Sequence, residues 1–199
     1  MVQKLTNNRE TASQTAGPYV HIGMMPSHAG NPGTFAAELG TSPIQEGAAG
    51  TPIEVTGQVL DGSGNPILDA VLESWQADAE GRYTGDDSAD PKITGFCRFA
   101  VDPETKRYRL ETIKPGPVPL PDGRLQSPHI ALWIVARGIN IGLSTRVYFE
   151  DADHESDPVL SRIDPRDRIQ TLVAKPQGDG RYAFDIRLQG PGETVFLDM

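Results

Sequence analysis

Glycine and proline recur along the whole chain, with 21 glycines and 17 prolines among 199 residues. Both residues disfavour helix interiors and favour turns. Between them lie short runs in which apolar residues alternate, the period of a half-buried strand. The sequence therefore predicts an all-β fold of the β-sandwich type, with short strands joined by turns and one or two short helices.

The predicted strands begin near Ile53 and continue to the end of the chain. Residues 129–136 form a nearly continuous apolar run, which predicts a strand buried on both faces. The other predicted strands lie at residues 53–59, 71–75, 108–112, 145–149, 181–188 and 194–197.

One helix is predicted after Asp164, which can cap it, with Pro165 at the first helical position. Lys175-Pro176 would end this helix. A second short helix is predicted at residues 34–39. The apolar face of the first helix would consist of Ile169, Leu172 and Val173.

Residues 1–50 contain many Gly, Pro, Ser, Thr and Asn residues and little periodicity. Such a segment is either disordered or an arm that orders against a partner chain. Apolar residues within it favour docking, because a solvated tail rarely carries so many. We therefore expect an N-terminal arm over residues 1–50 and a β-sandwich domain over residues 51–199. The apolar residues of the arm are Tyr19, Ile22, Met24, Met25 and Phe35.

Charge and cysteine content limit the possible partners. The formal net charge of −9 disfavours nucleic acid and anionic membranes, which both require clustered Lys and Arg. The acidic run at residues 150–157 lacks the pattern of a calcium loop and is interpreted as a solvated loop. Cys97 is the only cysteine, so an internal disulfide is excluded. Without a signal-like or membrane-spanning apolar run, we expect a cytoplasmic protein.

Three segments carry the strongest functional signal: W-Q-A-D-A-E-G-R-Y at 75–83, P-G-P-V-P at 115–119 and P-H-I-A at 128–131. Together they resemble the signature of the intradiol ring-cleaving dioxygenases, which are β-sandwich proteins. That family binds a non-haem ferric ion through two tyrosines and two histidines. Tyr83 and His129 match one residue of each kind, whereas Val118 and Ala131 replace the other two.

The chemistry of ferric iron makes these two replacements decisive. Ferric iron prefers phenolate oxygen, with imidazole nitrogen completing the protein ligands. Valine and alanine donate no lone pair, and two ligands are too few to hold the ion. Gln126-Ser127-Pro128 also stands where catalytic members carry R-P-x before the histidines. We therefore expect that this chain does not carry the metal.

Further segments resemble the alpha subunits of the protocatechuate-cleaving members of the family. In those members the alpha subunit has lost the iron ligands, the beta subunit keeps them, and the active site lies where the subunits meet. The resemblance implies a hetero-oligomer in which the beta subunit holds Fe(III). Its substrates would be protocatechuate and O2, its product 3-carboxy-cis,cis-muconate, and this chain alone would be inactive. These segments are residues 13–23, 136–141, 145–149 and 192–196.

The resemblance also implies a substrate-binding role for Thr15, Gly17, Pro18, Tyr19 and Arg137. A guanidinium is a permanent cation whose geometry suits a carboxylate, so Arg137 would bind the substrate carboxylate. An acidic chain needs such a local cation to bind an anion. Without the resemblance, the Gly-Pro pair is a turn and Arg137 a surface charge.

Two alternatives from other classes stay open. A self-sufficient iron dioxygenase would need new ligands such as His21, His28 or Glu38. A non-catalytic β-sandwich module would bind carbohydrate or protein through Trp75 and Trp133.

Overall fold

The computed structural model describes residues 15–37, 39–151 and 153–198. Strands dominate these ranges, which confirms the predicted all-β class. None of the helices in them has the length and apolarity needed to cross a bilayer. The strands are β1 (Pro52–Gly57), β2 (Val59–Leu60), β3 (Val71–Gln76), β4 (Phe96–Ala100), β5 (Tyr108–Ile113), β6 (Val118–Pro119), β7 (Leu125–Gln126), β8 (His129–Val135), β9 (Leu143–Phe149), β10 (Val173–Gly178), β11 (Arg181–Ala183) and β12 (Ile186–Arg187).

Eight of these strands form one sheet in the order β4-β3-β8-β9-β10-β11-β1-β5. The pairs β1–β11 and β9–β10 are parallel, and the other pairs are antiparallel. The sheet curls until its edge strands meet, with the rings of Phe99 in β4 and Tyr108 in β5 at 5.6 Å between centroids. The result is a nearly closed sandwich around one core. Two short pairs, β2–β12 and β6–β7, complete it.

The side chains of strand β8 alternate between the core and the outer face of the sheet. Ile130, Leu132 and Ile134 point into the core and are fully buried. Ala131 and Trp133 point outward and are half-buried. The prediction that this strand is buried on both faces was therefore only partly correct. The outer face near β9 is covered by a second apolar cluster, which consists of Tyr148, Leu160, Ile163, Ile169, Leu172, Val173 and Val195.

The predicted helix after Asp164 is a 3-10 helix, Arg166–Leu172, with Pro165 as its N-cap residue and no side-chain cap. The prediction of capping by Asp164 was therefore wrong. Val173 and Lys175-Pro176 belong to strand β10, because pairing with β9 and β11 overrides the local stop signal. Apolar spacing of three residues suits a 3-10 helix as well as an α-helix.

Other local predictions were also wrong. The described residues among 34–39 form bends and a turn, whereas an α-helix, α1, occupies Pro18–Met24. Its first residue is proline, which is preorganised for that position. Residues 194–197 are not a strand, although the Leu197 N–H donates to the Ser144 carbonyl at 2.8 Å. A second 3-10 helix spans Leu160–Arg162.

Candidate functional site

The loop that follows β3 is organised by Asp78, which is 3% exposed. Its Oδ1 accepts hydrogen bonds from the main-chain N–H groups of Glu80 at 2.9 Å and Arg82 at 2.8 Å. Its Oδ2 accepts one from the N–H of Asp90 at 3.0 Å. One buried carboxylate thus fixes both ends of the loop and places Tyr83 at the edge of the sheet.

A second loop, residues 115–118, packs directly against this one. Gly81 has a φ of +80°, and a Cβ there would lie 1.9 Å from the Pro117 carbonyl oxygen. A Cβ on Gly116 would lie 2.4 Å from the Ala79 carbonyl oxygen. Both positions therefore require glycine. This contact brings the buried Val118 toward the loop that carries Tyr83.

His129 begins β8 and is 1% exposed. Its Nδ1 lies 2.8 Å from the Ser127 carbonyl oxygen, so Nδ1–H donates there, and Nε2 is 3.5 Å from the Tyr83 hydroxyl oxygen. Burial, with a contribution from the charge of Arg146, lowers the pKa of His129 to about 4. The imidazole is therefore neutral near pH 7.

Two tyrosines flank this histidine. The ring of Tyr83 stacks on Trp75 at 5.9 Å and 3°, and the ring of Tyr148 lies 5.7 Å from that of His129. Burial raises the pKa of Tyr83 and raises that of Tyr148 to about 12. Both phenols are therefore protonated near pH 7 in this chain.

Arg146 is the site residue that the sequence reasoning missed. Its Nη1 donates to the Gln126 Oε1 at 2.8 Å and to the Tyr148 hydroxyl oxygen at 3.3 Å. Gln126 stands where the catalytic pattern has arginine, so a cation is present here but comes from the neighbouring strand. The only sequence signal was a charged residue within the predicted strand T-R-V-Y-F.

The donors that meet here do not fit a ferric ion. Tyr83 and His129 come together, but the side chains of Val118 and Ala131 carry no ligand atom. Across residues 15–37, 39–151 and 153–198, no group of three or more His, Cys, Asp and Glu residues could hold a metal. A fixed guanidinium beside the two surviving donors opposes a cation further.

The predicted substrate-binding residues lie at a different place. The N–H of Gly138 donates to the Thr15 Oγ1 at 2.8 Å, and Ala16 forms a parallel bridge with Arg137. Gly17 caps helix α1, which starts at Pro18, and Tyr19 in that helix is 82% exposed. The structure thus brings Thr15, Gly17, Pro18 and Tyr19 to the loop of Arg137.

These two groups occupy opposite ends of strand β8. His129 is the first residue of the strand, and Arg137 lies two residues beyond its last residue, Val135. Eight residues of extended chain span roughly 26 Å. That distance far exceeds the size of one catechol ring, so the two groups cannot act on the same bound molecule.

The residues of the alternative interpretations are dispersed. His21 and His28 line a cavity of about 170 Å³ near Val71, where β3 begins, whereas Tyr83 lies beyond its other end. Glu38 lies outside the described residues. A Cβ on Gly142 would lie 2.0 Å from the Trp133 Nε1, so main chain covers that ring closely.

The acidic run at 150–157 was predicted to be a solvated loop, but part of it is buried. Asp157 is fully buried and accepts a hydrogen bond from the N–H of Ser127 at 2.7 Å. It also accepts hydrogen bonds at 2.8 Å from the N–H groups of Val159 and Leu160. This carboxylate therefore fixes the segment before His129.

The sequence profile of a family described as "Dioxygenase" matches residues 26–190. The chain is 45% identical over 194 residues to the protocatechuate 3,4-dioxygenase alpha chain of Pseudomonas putida, covering 95% of this chain and 96% of that one. It is 34% identical over 165 residues to the protocatechuate 3,4-dioxygenase beta chain of Burkholderia cepacia, covering 73% and 67%. The solved 3-chlorocatechol 1,2-dioxygenase of Rhodococcus opacus shares the fold, with a TM-score of 0.60 at 24% identity, covering 74% and 63%.

Proposed function

Because this chain belongs to the intradiol ring-cleavage dioxygenase family, we propose that it is the alpha subunit of a protocatechuate 3,4-dioxygenase. It completes the substrate pocket of an iron-bearing beta subunit and holds no iron of its own. Similarity to alpha chains over nearly the whole length supports this assignment, as does the unsuitable donor set around Tyr83 and His129.

The observation that carries the proposal is the separation along β8. The pocket residues gather near Arg137. They lie roughly 26 Å from the relic site, which we define as the ligand positions Tyr83, Val118, His129 and Ala131. An enzyme that used both groups on one substrate would need them within a few ångströms. Their separation supports a pocket that serves a metal centre on another subunit.

Arg137 is suited to bind a carboxylate. Its side chain is 65% exposed, and its Nε lies 3.2 Å from the Asp69 Oδ2. Within the described ranges, neither of its terminal amino groups has a hydrogen-bond acceptor, so both are available to an anion. Asp69 forms an ion pair with the Nε side of the guanidinium but no hydrogen bond to it, and the terminal amino groups keep the fork geometry that a carboxylate requires.

Exposed surface lies beside this cation, both on the arm and on the loop that follows Arg137. A Cβ on Gly17 would meet no atom within 4 Å, so the main chain faces open space. Tyr19 and Ile141 are 82% and 75% exposed. Aromatic and apolar side chains this exposed favour contact with a partner or a flat ring. The proposal therefore includes docking of the arm, residues 1–50, on the beta subunit.

The reaction that we propose converts protocatechuate and O2 into 3-carboxy-cis,cis-muconate in the cytoplasm, with both oxygen atoms retained in the product. The beta subunit's ferric ion would activate the catechol. This chain would contribute orientation through Arg137 and Tyr19 and a favourable potential for the carboxylate.

The test uses the complex of this chain with its beta subunit. Arg137→Ala should reduce kcat/KM for protocatechuate by about 10- to 150-fold, the loss expected for one charge-assisted contact. It should affect catechol, which lacks the carboxylate, much less. Arg124→Ala, in the exposed turn between β6 and β7, is the matched control. An equal loss with both substrates would exclude Arg137 from the pocket.

The subunit assignment has its own test. The chain should co-purify with a related iron-containing chain from its native cell. Ring cleavage by the isolated chain supplied with ferric ion would contradict the assignment, whatever the outcome for Arg137.

A further inference from the structure

Arg146 lies opposite the position of the missing histidine. Trp75, Ala131 and Arg146 are register partners across β3, β8 and β9, and all three point to the outer face of the sheet. Directly opposed residues of antiparallel strands have Cβ atoms about 5 Å apart. A histidine at position 131 would therefore stand side by side with the guanidinium.

The guanidinium is held firmly at this place. Its Nη1 is bound by Gln126 and Tyr148, and its Nε is buried without a hydrogen-bond partner among the described residues. Its Nη1 contacts the Tyr148 hydroxyl, and the Tyr148 ring lies 5.7 Å from the ring of His129. The His129 Nε2 is in turn 3.5 Å from the Tyr83 hydroxyl oxygen. The guanidinium therefore borders the two surviving donor residues.

We propose that Arg146 is a built-in cation that excludes metal from the relic site, so that restoring the two missing ligands does not restore iron binding while Arg146 remains. A guanidinium cannot lose its proton in a protein, so its charge cannot yield to a metal. The repulsion between two cations a few ångströms apart in a partly buried site is large. The same group gives the Gln126 carbonyl and the Tyr148 hydroxyl a partner in the absence of metal.

This inference concerns the chain alone and does not depend on its pairing with a beta subunit. Loss of the two ligands alone makes a different prediction. If it were the whole explanation, iron would bind once Val118 is replaced by tyrosine and Ala131 by histidine.

The experiment compares four full-length variants that all carry Val118→Tyr and Ala131→His. The first has no other change, and the others add Arg146→Gln, Arg146→Lys or Arg124→Gln, a control in the exposed turn between β6 and β7. Ferric nitrilotriacetate is the probe. Bound iron is measured by metal analysis and by the visible absorption of tyrosinate bound to ferric iron, and thermal unfolding checks that each variant is folded.

Arg146→Gln should increase the affinity for iron on the order of a hundredfold or more over the variant that keeps Arg146. Arg146→Lys keeps the charge and should leave iron excluded, as should Arg124→Gln. Equal affinities with and without Arg146, including no binding in either, would overturn the proposal. Binding restored by Arg146→Lys as well as by Arg146→Gln would also overturn it, because the charge would then not be the cause.

Discussion

The Thr15 Oγ1 accepts a hydrogen bond of 2.8 Å from the main-chain N–H of Gly138. These residues are 123 positions apart in the chain. Together with the Ala16 N–H, which donates to the Ile139 carbonyl at 3.2 Å, the bond fixes the start of the described arm to the loop that contains Arg137. The arm and the cation are therefore one structural unit, held by few and exposed contacts.

Thr15→Val should separate these two parts. It removes the acceptor at nearly constant volume, together with the longer contacts of 3.4 Å from the Thr15 hydroxyl to the Ala16 and Ile139 carbonyls. Because all of these contacts are exposed, kcat/KM for protocatechuate in the complex should fall only about 2- to 10-fold. Amide hydrogen exchange at Gly138 should accelerate in the same variant. Thr15→Ser keeps the hydroxyl and should behave like the parent, and a serine variant as impaired as the valine variant would contradict the role of the bond.

The stability of the chain should fall in mild acid because of His129. Its folded pKa is about 4, below the ordinary value of about 6.5, so between these values the unfolded chain binds a proton that the folded chain does not. The free energy of unfolding is therefore highest above about pH 6.5 and decreases as the pH falls toward about 4. The expected loss is about 3 kcal/mol.

Denaturant unfolding of the parent and of His129→Gln at several pH values tests this prediction. The variant lacks the titrating group. Over the same pH range its free energy of unfolding should therefore fall by about 3 kcal/mol less than that of the parent. The other histidines contribute equally to both proteins. Parallel pH profiles would show that His129 is not the group responsible.

Cys97 should be inert in the folded chain. Its side chain is buried in the core, and burial raises the pKa of its thiol to about 11. Because the thiolate is the reactive form, alkylation by iodoacetamide should be at least about a hundredfold slower in the folded chain than in urea. Similar rates in the two states would contradict this burial. Cys97→Ala supplies the background rate.

Much of the fold followed from local patterns, whereas the site depended on register. A nearly continuous apolar run predicted the strand around Leu132, and the motif residues Tyr83 and His129 do meet. The proximity of Arg146 to Ala131 was not predictable, because it depends on how β8 and β9 align. The helix after Asp164 was assigned the wrong type, since apolar spacing does not distinguish a 3-10 helix from an α-helix.

The glutamine of the W-Q-A-D motif has a structural role that its sequence context did not indicate. Gln76 is fully buried in β3, and its Oε1 accepts a hydrogen bond of 2.7 Å from the Thr112 hydroxyl in β5. Its Nε2 donates to the Ile113 carbonyl at 3.1 Å. Because β3 and β5 are not paired in the sheet, these bonds join the two sides of the sandwich through its interior.

Thr112→Val should therefore destabilise the chain although it preserves side-chain shape. It leaves the Gln76 Oε1 buried without its donor, which costs about 1–3 kcal/mol in the free energy of unfolding. Thr112→Ser keeps the donor and should lose less. In a double-mutant cycle with Gln76→Leu, Thr112→Val should be nearly neutral, because no amide oxygen remains to be satisfied. An undiminished effect of Thr112→Val in that background would mean that the hydroxyl acts through packing and not through Gln76.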